Sequence, residues 1–172
     1  MDEARASEPH PVKNPTTVER TSERELVVTR TFDSPARVVF EAWTRPELLM
    51  RWWVPESFGM TFVSCEVDAR TGGTYRFVFS HPASEEPMAF FGRYLEVTPP
   101  SRIVWTNEED AEGPVTTVTL EEKDGKTLLA LHELYPSKQA LDDALAAGST
   151  GTGAAAEQCA LLDEVLVAAV RP

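Results

Sequence analysis

Residues 25–32, ELVVTRTF, alternate apolar and polar positions and are rich in β-branched side chains, which predicts a strand with one buried face. Asp33-Ser34-Pro35 ends it. Ser34 suits an N-cap and Pro35 the first position of a helix over ARVVFEAW, where Val39, Ala42 and Trp43 share one stripe. Pro46 opens a second short helix, PELLMRWW, closed before Pro55. Runs of strand character then succeed one another at residues 60–68, 74–80, 88–97, 102–107, 115–122 and 126–135. Gly72-Gly73 marks a turn that needs positive φ, Pro99-Pro100 a break, and Asp124-Gly125 a hairpin. Beyond Pro136 the spacing becomes helical. A short helix, SKQALDDALAAG, is capped by Ser137 and stopped by Gly148. The glycine-rich STGTG follows, and then a helix over residues 154–170 that is apolar over more than half its girth.

One strand, two short helices, six strands and a helix predict an α+β fold. Short turns between successive strands make the sheet an antiparallel meander. A sheet of six or seven long strands twists and curls. One straight helix cannot fill its concave side, so a cavity of roughly 300–1,000 Å³, the usual range for small-molecule sites, is expected between sheet and terminal helix. Residues 1–23 contain Pro9, Pro11 and Pro15 and few large apolar groups, and read as a flexible arm; residues 24–172 read as a single domain.

The net charge of −12 weighs against nucleic acid and anionic membrane surfaces as partners. No apolar run approaches the ~20 residues that span a bilayer, and the polar N-terminus carries no signal core, so the expected location is the cytoplasm. Cys65 and Cys159 read as unpaired thiols in a reducing compartment. His10, His81 and His132 fall in an arm, a loop and a strand without ligand spacing, and neither a metal nor an organic cofactor is expected. No phosphate-binding glycine loop and no nucleophile elbow is present. His132 is the one histidine inside a predicted strand. A lone strand histidine is more often a structural group than a catalyst, and Glu133 beside it alternates to the opposite face.

The stretch FDSPARVVFEAWTRPELLMRWW (32–53) resembles the opening of the START-like superfamily. More narrowly, it resembles the family named after the activator of the heat-shock protein 90 ATPase. DARTGGTYRF (68–77) and GRYLEVTPPSRIVWT (92–106) are similar to two further motifs of that family, in the same order. Val54-Pro55 stands where the family usually has Gly-Pro, and GSTGTGAAAEQC where a Gly-Trp is common. The resemblance implies a helix-grip fold with an internal cavity for apolar small molecules. The expected lining is Phe58, Phe77, Phe79, Phe91, Tyr94, Trp105, Leu162 and Val165, with Trp52 and Trp53 at a mouth or lid and His132 as a polar candidate. A small apolar molecule is the expected partner; a homodimer stays open. The leading expectation is binding without catalysis. The alternative is a cofactor-free cyclase, lyase or hydrolase, with His132 as base and Tyr94 as oxyanion donor. A co-chaperone role rests on the family's name alone.

Overall fold

The computed structural model describes residues 15–147 and 154–170. Its strands are β1 (Thr17–Arg20), β2 (Glu25–Phe32), β3 (Thr61–Val67), β4 (Thr74–Ser80), β5 (Met88–Thr98), β6 (Arg102–Thr106), β7 (Val115–Lys123) and β8 (Lys126–Leu134). They form one antiparallel sheet in the order β1-β2-β8-β7-β6-β5-β4-β3. The helices are α1 (Ala36–Thr44), α2 (Pro46–Leu49), α3 (Lys138–Ala147) and α4 (Ala155–Val170), with a 3-10 turn at Glu56–Phe58. Register shifts at Phe62/Ser64 in β3 and Tyr94/Glu96 in β5 are bulges, which bend strands and help curve the sheet. The β7–β8 hairpin turns on Asp124 and Gly125, both at positive φ, as its Asp-Gly pair predicts.

The sheet has one strand more than expected. Thr17–Arg20, read from sequence as part of the arm, pairs with Leu26–Thr29 as an edge strand. Its four residues are all exposed, so no buried-face alternation could announce it. The rest of the arm, residues 1–14, and the Gly148 stop with its STGTG linker lie outside the described residues.

The start of α1 also differs from expectation. Pro35, not Ser34, is the N-cap and makes no side-chain cap bond. The first helical donor, Ala36 N–H, is instead satisfied by Glu122 Oε1 of β7 at 2.8 Å, while the Ser34 carbonyl accepts from Thr127 Oγ1 of β8 at 2.7 Å. Long-range bonds thus replace a local cap and fasten the helix to the hairpin. Helix α2 is only four residues long, so Trp52 and Trp53 leave it in a turn. Trp52 swings inward and donates its indole N–H to the Ala42 carbonyl at 2.9 Å.

Helix α4 lies against α1 and β2. Its Leu162, Val165 and Leu166 are buried in one core with Phe32, Val39, Trp43 and Phe77. Arg30 points inward from β2, where it pairs with Asp163 of α4 and donates to Thr16 Oγ1 at 2.9 Å. A buried guanidinium is tolerable only with such partners, and here they fix the helix on the sheet.

Candidate ligand cavity

The cavity is built where α1, α2 and the central strands meet. Strand β4 turns Tyr75 and Phe77 to the concave face at alternate positions, β5 supplies Tyr94, and β6 supplies Ile103 and Trp105. Trp43 of α1, Leu49 of α2 and Trp53 close the other side. Tyr94 and Trp105 are directly opposite on neighbouring strands. The rings interlock. Trp43 and Trp105 lie 5.8 Å apart between centroids, Trp53 and Phe77 5.4 Å, and Tyr75 and Tyr94 5.7 Å.

The free volume of the cavity is about 20 Å³, room for one water molecule. It falls far below the expected range, and the physical reason lies in the wall itself. Three tryptophans, two tyrosines and a phenylalanine project into the concave side and occupy the space that the curvature makes.

Of the residues proposed from sequence, Trp53, Phe77, Tyr94 and Trp105 border the cavity. Trp52, Phe79, Leu162 and Val165 are buried in the same core without bordering it. Three placements are corrected. Phe91 is 36% exposed under the Arg76 guanidinium on the convex face, and its neighbour Phe90 takes the inward place against Phe79. Positions 91 and 94 are an odd number apart and cannot share a face of a regular strand. His132 is outward for the same reason, 3.4 Å from Glu25. Phe58 is 47% exposed on the 3-10 turn. Trp43, Leu49, Tyr75 and Ile103 were missed as lining residues. Alternation with Phe77 and Trp105 points to Tyr75 and Ile103, whereas nothing local points to Leu49.

The inward acidic group of β8 is Glu133, 5% exposed, in a cross-strand row with Thr116 and Trp105. It does not border the cavity. Burial pushes the phenols of Tyr75 and Tyr94 far above their ordinary range, so both stay protonated. Tyr75 Oη donates to the Thr106 carbonyl at 2.6 Å.

Burial, with a smaller contribution from Glu47, pushes the Cys65 thiol from 9.0 to about 11. At pH 8 that leaves roughly one-hundredth of the usual thiolate, so iodoacetamide should modify Cys65 about 100-fold more slowly in the native protein than in urea. Rapid native labelling would show that Cys65 is more open than this structure has it. Burial raises the Cys159 thiol as well.

Among the described residues no cluster of His, Cys, Asp and Glu could hold a metal ion, and no helix is long and apolar enough to cross a membrane.

A curved antiparallel sheet closed over a terminal helix, with an aromatic cavity between sheet and helices, defines a helix-grip protein. The chain belongs to the family described as Activator of Hsp90 ATPase homolog 1-like protein, whose profile matches residues 33–164. A crystal structure of a protein from Rhodobacter sphaeroides superposes with a TM-score of 0.77 at 26% identity, covering 91% of this chain and 100% of that one. A protein from Mycobacterium smegmatis gives 0.72 at 25% identity, covering 90% and 99%. An AHSA1-like protein from Aeromonas hydrophila, at 17% identity, shares the fold with a TM-score of 0.61, covering 83% and 93%. No curated protein matches the chain.

Proposed function

We propose that the protein binds a compact apolar small molecule in the cavity bounded by Trp43, Trp53, Phe77 and Trp105. The observation that carries this reading is the wall itself. It is aromatic and aliphatic throughout, and its two ionisable groups, Tyr75 and Tyr94, are held protonated by burial. Such a wall offers contact area but no acid or base that titrates near neutral pH, which favours binding over catalysis. The two thiols are unlinked, as a reducing cytoplasm would leave them.

A cavity of about 20 Å³ must open to admit such a molecule. The half-buried Trp53 is the wall element most easily moved. Its carbonyl accepts from Gln158 Nε2 at 2.6 Å, and Ser57 is bonded to Glu157 at 2.7 Å through its hydroxyl and at 3.2 Å through its backbone N–H. These bonds tie the segment after α2 to the first turns of α4. Releasing them costs on the order of 1 kcal/mol each, within reach of ligand binding.

Titration of tryptophan fluorescence with α-methylstyrene tests the reading. A saturable change is expected, unaltered in His132→Ala because that side chain faces outward. Gln158→Ala should speed the change several-fold by freeing Trp53. A signal that stays linear up to the solubility limit would refute binding in this cavity.

A further inference from the structure

Two of the buried aromatic side chains near the cavity have protein partners for their polar atoms. Trp52 Nε1 is committed to Ala42 and Tyr75 Oη to Thr106. Trp43 differs from both: its indole N–H is buried and has no hydrogen-bond partner among the described residues, and Trp43 is only 7% exposed. A buried donor without an acceptor costs about 1–3 kcal/mol, and helix packing alone does not require an indole here. Trp43 is flanked by the rings of Trp52, Trp53 and Trp105 at 4.6, 5.9 and 5.8 Å. Rings on these sides offer no acceptor oxygen. Trp43 borders the cavity.

We infer that the Trp43 Nε1–H group selects, among compact apolar molecules, those that carry one hydrogen-bond acceptor, such as a ketone, ester or aryl ether oxygen. The inference rests on the cavity-binding reading above and narrows it. In the absence of such a molecule one water fits the cavity and can take the same bond, so the ligand's acceptor replaces that water while its hydrocarbon part meets the rings. Tyr94 contributes the other hydroxyl of the wall, from the strand beside Trp105.

Acetophenone and α-methylstyrene have nearly the same shape, but only the ketone has an oxygen acceptor. Their affinity ratio cancels differences in contact area, and comparing the ratio in wild type and Trp43→Phe cancels their different hydration. The ketone-to-hydrocarbon ratio should fall about fivefold in Trp43→Phe, as loss of one hydrogen bond implies. In wild type, the Trp43 indole proton should lie further downfield in the NMR spectrum with acetophenone bound than with α-methylstyrene bound. This second readout needs no variant and survives if Trp43→Phe folds poorly. An unchanged ratio, or an indole proton at the same position with either molecule bound, overturns the inference while leaving cavity binding intact. If neither molecule binds, the cavity-binding reading fails first and this inference with it.

Discussion

Gly92→Ala is expected to lose more than about 4 kcal/mol of stability, the range reserved for gross steric or core defects. A Cβ at this position would stand 2.0 Å from the Thr106 carbonyl oxygen and 3.0 Å from Tyr75 Cε1. Neither can retreat cheaply. Thr106 O accepts the Tyr75 hydroxyl, and Thr106 Oγ1 accepts Arg93 N–H at 3.0 Å. Strands β5 and β6 would have to part beside the cavity, and the melting temperature should drop by about 10 °C or more. Gly125→Ala is the control. Gly125 has φ +77 but no atom within 4 Å of an added Cβ, so only the left-handed backbone opposes the change, at about 1–2 kcal/mol. Equal melting of wild type and Gly92→Ala would mean that the β5–β6 register is wrong.

Phe77→Ala is expected to cost about 3–5 kcal/mol. The ring touches Trp53, Phe62, Tyr75 and Phe79, at centroid distances of 5.4, 5.8, 5.1 and 6.5 Å, and its loss leaves an apolar hole continuous with the existing cavity. An apolar hole of about 150 Å³ is large enough to bind benzene. Benzene at 100 times its dissociation constant should return about 2.7 kcal/mol. Wild type should gain less, because it must first open its wall. Melting with and without benzene measures both effects. If the variant loses under about 1 kcal/mol, Phe77 is not the floor of a packed site.

Much of the fold was legible in the chain because it is written in short-range signals. Alternation places Tyr75, Phe77 and Phe79 together, Asp124-Gly125 dictates its turn, and Ser137 Oγ accepts Ala140 N–H at 3.0 Å, as a cap should. What was illegible depends on long-range partners. β1 carries no pattern and exists because β2 offers an edge. Pro35 caps α1 because Glu122 arrives from a strand 86 residues away. The site was legible as a composition but not as a shape. Three linked motifs implied a cavity lined by aromatics, and Trp53, Phe77, Tyr94 and Trp105 do border one. The chain does not reveal that these rings nearly fill the space, because packing is decided by rotamers from five separate elements. Phe91 and His132 went astray on parity alone, since a step of one residue exchanges the two faces of a strand.

The most direct test of the central claim is a set of intermolecular NOEs between protein and α-methylstyrene. The chain has four tryptophans, so the indole region holds four N–H signals, and Ile103 and Leu49 provide methyl reporters inside the wall. Binding in the cavity predicts NOEs from the probe to the Ile103 and Leu49 methyls and to the Trp43, Trp53 and Trp105 rings, with the Trp52 N–H held in its bond to Ala42. NOEs confined to Phe58, Phe91 or other outward residues, or none at saturating probe, would contradict it.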